Sequence, residues 1–156
     1  MSLSFRSSAS FGKRAEKHMF AMMLKENLDI YLPLVDDDAI DAVIKRPDGK
    51  FVEVQIKARS SAVKFGNAAL FAGLKHEQRP NYWFVFYSER MNEIWILSSK
   101  EFVKESNQNV SGKNAGKRSI HFNGKNSKEK TEHTLPQFEK YIVKDFQRII
   151  NDDPDN

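Results

Sequence analysis

Five side chains within the first 60 residues combine types and spacings that could do chemistry: Glu16, Asp41, Glu53, Gln55 and Lys57. Asp41 stands in an otherwise apolar run, Ala39-Ile40-Asp41-Ala42-Val43-Ile44, where an ionised carboxylate is costly unless it is paired or bound to a cation. Residues 51–58 alternate with the two-residue period of a strand, so Val52, Val54 and Ile56 take one face and Glu53, Gln55 and Lys57 the other. Pro47-Asp48-Gly49 between these runs is a strong turn signal, and a hairpin there would bring acids, an amide oxygen and an ammonium toward one small volume. Oxygen donors at that density suit Mg²⁺, which keeps several waters of its own. A lysine beside such an ion can orient a water or stabilise charge on a phosphate oxygen. The same spacing also admits a plain cross-strand ion pair between Asp41 and Lys57.

These residues need elements to position them. At 100° per residue Phe11, Ala15, Met19, Met22 and Met23 share one side of a helix expected from Gly12 to Glu26. Glu16 falls at the edge of that stripe, half buried and facing something, or else paired with Lys13 or Lys17 at the surface. Strands are expected over 30–35, 39–46 and 51–58, then a helix over 67–78 ended by Pro80. Residues 82–87 are nearly continuous aromatic and apolar, which suits a buried central strand. Another strand follows at 93–97. Ser98 and Glu101 form a capping-box pattern for a short helix, and 118–122 reads as one more strand. A final helix is expected from Thr134-Leu135-Pro136 through Ile150. The order implies a mixed α/β sheet with helices on its faces.

Other chemistry is excluded more readily. The chain has 156 residues, the size of one domain, and no cysteine, so disulfides, thiol nucleophiles and zinc–thiolate sites are absent. His18, His76, His121 and His133 are scattered without ligand spacing. The stretch 112–119 imitates a phosphate loop, but Ser111 stands where its first Gly belongs and Arg118 follows Lys117 in place of Ser or Thr. Ser61 with Lys64 and Ser127 with Lys130 match a serine–lysine pair without the companion motifs of that class. Asp36-Asp37-Asp38 reads as a solvated turn.

Net charge is +4, but three acids and no base sit after Ile150, so the rest of the chain carries +7. Residues 100–130 hold eight Lys or Arg against three acids. That basic segment suggests a polyanionic partner. The expected organisation is a flexible arm over 1–10, a single domain over 11–150 and a disordered acidic tail over 151–156. No segment approaches the apolar length of a membrane span, and with no signal peptide and no cysteine a cytoplasmic location is expected.

Gly12-x-x-Ala15-Glu16, then Ile40-Asp41-Ala42-Val43-Ile44, then Val52-Glu53-Val54-Gln55-Ile56-Lys57-Ala58-Arg59-Ser60 resembles the PD-(D/E)xK nuclease superfamily. The resemblance spans roughly residues 12–88 and includes the αβββαβ element order, so it implies a restriction-endonuclease-like core with extra C-terminal strands and helices. Two departures stand out. No Pro precedes Asp41, and Gln55 fills the (D/E) position, as in the QxK variants of methyl-directed type IV restriction enzymes. The resemblance implies Mg²⁺- or Mn²⁺-dependent hydrolysis of DNA phosphodiesters. Asp41 would be the principal metal ligand, Gln55 a second with Glu53 as its substitute, Lys57 the residue that positions the attacking water, and Glu16 the holder of a further water.

DNA is the expected partner, RNA the alternative, and a homodimer would supply two sites for two strands. Phosphate contacts are expected from Lys113, Lys117 and Arg118, with Lys45, Arg59 and Lys64 beside the hairpin as further candidates. Two other functions compete with the endonuclease: a nucleic-acid-binding module of the same fold that has lost catalysis, and a protein-interaction domain using the aromatic run 82–87 and Trp95.

Overall fold

The computed structural model describes residues 8–35 and 37–156, with side-chain surroundings from residue 10 onward. Most of the expected N-terminal arm and Asp36 of the acidic turn therefore lie outside the described residues. The elements run α1 (Ser8–Lys25), β1 (Asp29–Tyr31), β2 (Ala42–Lys45), β3 (Phe51–Arg59), β4 (Leu70–Leu74), β5 (Tyr82–Ser88), β6 (Glu93–Ser98) and α2 (Ser99–Glu105). Then follow β7 (Asn107–Gln108), β8 (Arg118–His121), β9 (Asn123–Asn126), β10 (Thr131–Thr134), a 3₁₀ turn (Pro136–Tyr141), β11 (Ile142–Val143) and α3 (Gln147–Asn151).

Six strands make a central mixed sheet in the order β1-β2-β3-β5-β6-β11. Only the β3–β5 pairing is parallel, with Glu53 opposite Tyr82, Gln55 opposite Phe84 and Lys57 opposite Phe86. The β2–β3 hairpin closes where expected: Gly49, at φ +85°, donates its N–H to Arg46 O at 2.9 Å, and Arg46 donates to Lys50 O at 2.8 Å.

Alternation along β3 and β5 divides the core in two. Val52, Val54 and Ile56 join Trp83, Val85 and Ile96 against Phe11, Ala15, Met19, Phe20 and Met23 of α1. Each side chain of that size, once buried, contributes about 1.5–3 kcal/mol. On the opposite face Tyr82, Phe84, Phe86, Trp95 and Leu97 pack on Phe71, Phe102, Ile120 and Phe122. The aromatic run 82–87 is thus core, not an exposed interface. Glu53, Gln55 and Lys57 share this second face and are half buried.

The sequence pattern and the structure part company in several places, and the strands expected over 30–35 and 39–46 form only over Asp29–Tyr31 and Ala42–Lys45. The helix expected over 67–78 is absent; that crossover from β3 to β5 contains β4, which pairs with β8 and turns through Gly73 at φ +70°. Ala69 O accepts from Phe122 N–H and Ala69 N–H donates to Asn123 Oδ1, so tertiary partners take the groups a helix would use. The last expected helix is broken into the 3₁₀ turn, β11 and the five-residue α3, because Ile142 and Val143 add to the sheet edge beside β6. The first helix starts at Ser8, earlier than Gly12. The acidic tail is docked rather than free: Pro154 is buried, Asp155 Oδ1 accepts from Asn81 N–H at 3.1 Å, and Arg46 Nη1 donates to Asp152 O at 2.5 Å. The capping box of α2 forms as read, with Ser98 Oγ accepting from Glu101 N–H and Glu101 accepting from Ser98 N–H.

Candidate active site

β3 has nine residues and its partner β2 only four, so β3 continues past the point where β2 begins. Ala42 opposite Val54 is the last regular pair, and Asp41 N–H donates to Val54 O at 2.9 Å. The next ladder donor on β3 is Ile56 N–H. Its partner is a side chain: Asp41 Oδ2 accepts it at 2.7 Å. The carboxylate takes the place of the missing strand and is held at the level of the sheet. A charge-assisted hydrogen bond of this kind also answers the cost of an acid in an apolar run.

The chain before Asp41 is bent to allow this. Asp38 and Ala39 both have left-handed backbones, φ +56° and +55°. For Ala39 that conformation costs about 1–2 kcal/mol. Two side chains hold it. Tyr82 Oη lies 2.5 Å from Ala39 O, and Arg79 Nη1 donates to Asp38 O at 3.1 Å.

Glu16 approaches from the α1 face. Its side chain is 13% exposed, and it keeps a loose 3.7 Å pair with Lys13. It shares with Asp41 a small cavity of about 90 Å³, lined also by Lys13, Lys17, Leu32 and Pro33. Gln55 and Lys57 come from the other face. Tyr82 Oη is also 3.0 Å from Gln55 Oε1, which accepts from it. No acid pairs with Lys57 among the described residues, so the cross-strand pair with Asp41 does not form.

Glu53 is engaged elsewhere. Arg79 Nη2 donates to its Oε1 at 3.0 Å, and the same guanidinium lies 4.7 Å from the Tyr82 ring centre. Gln55 Oε1 is engaged too, by the Tyr82 hydroxyl, and neither side chain lines the cavity shared by Asp41 and Glu16. Accordingly, no group of three His, Cys, Asp or Glu side chains suited to a metal is found among the described residues. The cavity brings together two carboxylates, Asp41 and Glu16, of the oxygen type a hard divalent cation takes, with the ammonium-bearing Lys13 and Lys17 on the same walls. The Ile56 N–H uses one of the roughly four lone-pair sites of Asp41.

The basic residues separate. Lys117 lines a groove of about 910 Å³ with Asp38, Ala39, Lys75, Arg79 and Gln108, next to the Asp41 turn. Lys113 is exposed in the turn just before it. Arg118 is turned inward, donating from Nη1 to Val103 O at 3.2 Å and Ser106 Oγ at 3.3 Å, so it closes the end of α2. Arg59 lies on the same face of β3 as Lys57, two residues on. Burial, and then the charge of Arg90, lower its pKa. Lys45 is at the hairpin end of β2, a strand length from Asp41. Lys64 is exposed in the loop after β3, its carbonyl bound by Arg90.

Tyr82 and Arg79 were not legible as site residues. Tyr82 begins an apolar aromatic run and reads as core; only the parallel register, Glu53 opposite Tyr82, reveals that its hydroxyl reaches the polar face of β3.

The six-stranded mixed sheet with a helix on one face matches a restriction-endonuclease-like fold. A solved structure that shares it is that of a bacterial homing endonuclease, I-Ssp6803I, with a TM-score of 0.59, 19% sequence identity, and 88% of this chain and 89% of that one covered. No protein-family model and no curated protein matches the sequence. No helix among the described residues is long and apolar enough to cross a membrane.

Proposed function

We propose that the protein is a metal-dependent DNA endonuclease that hydrolyses phosphodiester bonds. The observation that carries this reading is the Asp41 carboxylate fixed on Ile56 N–H where β2 ends, in one cavity with Glu16 and on the strand pair that bears Gln55 and Lys57. The fold's likeness to that of a bacterial homing endonuclease supports it.

Asp41, Gln55 and Glu16 would hold Mg²⁺ or Mn²⁺. The ion supplies Lewis acidity and neutralises charge that builds on the phosphate. Lys57, half buried on the same face of β3 as Gln55, would orient a water for in-line attack on phosphorus. One P–O ester bond breaks as the water oxygen bonds to phosphorus; that water gives up a proton to the solvent, and the leaving oxygen takes one up from it. Lys75, Arg79 and Lys117 along the 910 Å³ groove would follow the backbone of the bound strand.

Cleavage of supercoiled plasmid in Mg²⁺ or Mn²⁺ tests the reading. Nicking that disappears with chelator and with Lys57→Ala supports it; none in any divalent metal rejects it. One observation favours a second reading, a DNA-binding module without catalysis: the third ligand position holds an amide, Gln55, and the nearby acid Glu53 is already paired with Arg79. That reading expects salt-sensitive DNA binding with no cleavage and no metal uptake.

A further inference from the structure

The exposed face of α1 carries one sign of charge. Lys13, Arg14, Lys17 and His18 all stand out to solvent, and Lys25 ends the same stripe. The single acid of the helix, Glu16, is turned inward and only 13% exposed. A solvated helix face ordinarily mixes the two signs, so that neighbours one turn apart attract. Here Lys13 and Lys17 stand at i,i+4 and Arg14 and Lys17 at i,i+3, spacings at which like charges disfavour the helix. Arg14 Nε donates to Ser10 Oγ at 3.3 Å and Lys17 Nζ lies 5.5 Å from the centre of the Phe20 ring; among the described residues neither pairs with an acid. An external anion would relieve this repulsion.

The stripe also leads into the candidate site. Lys13 and Lys17 form walls of the 90 Å³ cavity that holds Glu16 and Asp41, and also of a wider, open hollow of about 570 Å³ with Ser10, Arg14 and His18. The two hollows share these lysines, so the basic surface ends beside the carboxylates. Two acids and two ammonium groups on the cavity walls balance to zero. A divalent cation there would leave an excess of positive charge, which a phosphodiester group answers.

We propose that α1 is a phosphate-binding surface, on which Lys13, Arg14 and Lys17 contact the backbone of the DNA strand that enters the Asp41–Glu16 cavity. The proposal rests on the endonuclease reading for the fate of that strand, but the surface itself stands on charge and shape. It is distinct from the groove of Lys75 and Lys117. That groove lies on the face of the sheet where His76 packs on Tyr82, whereas α1 packs on Val54 and Ile56 of the opposite face. Asp38 lines the groove and Asp41 the cavity, so the two basic surfaces meet at the turn that carries Asp41. Contacts of this kind position a nucleic acid and carry no sequence information.

Fluorescence anisotropy of a labelled DNA duplex, in chelator and over a range of salt concentrations, tests the surface without any cleavage. Lys13→Ala, Arg14→Ala and Lys17→Ala should each reduce the slope of log affinity against log salt by about 1, and the triple variant by about 3. Lys45→Ala, at the hairpin end of β2, removes the same charge and should leave the slope unchanged. An unchanged slope in the triple variant, or an equal reduction by Lys45→Ala, overturns the proposal. Wild-type protein that retains vesicles of anionic phospholipid but no duplex also overturns it and assigns the stripe to a membrane surface. Slopes that fall as expected, with no plasmid cleavage by the wild type in any divalent metal, would reject the endonuclease reading and leave the α1 surface standing. Wild-type cleavage with an unchanged slope in the triple variant would do the reverse.

Discussion

Asp41 Oδ2 accepts the Ile56 backbone N–H at 2.7 Å, so a carboxylate completes a β-ladder that its own strand has left. The bond has two separable parts, an acceptor that the fold needs and a charge that the proposed chemistry needs. Asp41→Asn keeps an acceptor oxygen and should cost about 1 kcal/mol of stability, while Asp41→Ala leaves a buried donor unsatisfied and should cost about 1–3 kcal/mol. Both should lower plasmid cleavage by about 10²-fold or more. Thermal unfolding alongside cleavage checks the separation. If Asp41→Asn cleaves like the wild type, Asp41 is only a structural cap.

Glu53 and Gln55 are two residues apart on one face of β3, and only their partners tell them apart. Because Arg79 holds Glu53 at 3.0 Å, Glu53→Gln should change the Mg²⁺ concentration for half-maximal cleavage less than about threefold, whereas Gln55→Ala should raise it by about tenfold or more. Arg79→Ala frees Glu53 and loosens the Asp38–Ala39 turn, so it should lower both stability and cleavage. A metal titration of cleavage for the three variants decides the assignment; a larger effect from Glu53→Gln than from Gln55→Ala reverses it.

Lys117 and Lys75 line the same groove, yet only the first belongs to the basic segment visible in the sequence. If that groove carries the DNA backbone, each change to alanine should reduce the slope of log affinity against log salt by about 1. Lys45→Ala, a strand length away from Asp41, should leave the slope unchanged. Arg118→Ala should act on stability instead, since its guanidinium closes the end of α2. Filter binding at several salt concentrations tests all four, and a slope that changes only with Lys45→Ala would move the DNA path to the hairpin end.

The hairpin that carries the candidate site residues was more legible than the elements that frame it. Turn chemistry at Pro47-Asp48-Gly49 and the alternation of residues 51–58 fix the hairpin and the polar face of β3, because both act over a few residues. The crossover did not yield to the same logic. Ala68, Leu70, Phe71 and Leu74 fit a helical period, but Phe71 and Leu74 bury themselves as a strand against Phe122 and Ile120, and no local rule foretells a pairing with β8 about 50 residues on. Ile142 and Val143 are drawn to the sheet edge by β6 in the same way. Tyr82 shows a third kind of limit: its ring obeys the apolar pattern while its hydroxyl serves the polar face, and only the parallel register with β3 discloses the second role.

His76 lies beneath the groove with its Nε2 2.7 Å from Ser99 Oγ and its ring against Tyr82, Phe84 and Phe102. Burial, then the charges of Arg79 and Arg118, lower its pKa from 6.5 to about 4. In the unfolded chain the imidazole takes up its proton near the ordinary value, while in the folded protein it resists until pH 4. The unfolded state thus binds more protons between those limits, and stability should fall as pH drops from about 6.5 to about 4, then level off for this group. Glu132 contributes below that window: burial raises its pKa, but hydrogen bonds from Arg90, Ala68 N–H and Gly66 N–H outweigh it and hold the carboxyl below its usual range, so its stabilisation is lost only in stronger acid. Denaturant unfolding of wild type and His76→Gln across pH 7 to 4 separates them. The glutamine keeps a polar partner for Ser99 without titrating, so its stability should be flatter across the window. A slope as steep as that of the wild type would place the acid sensitivity elsewhere.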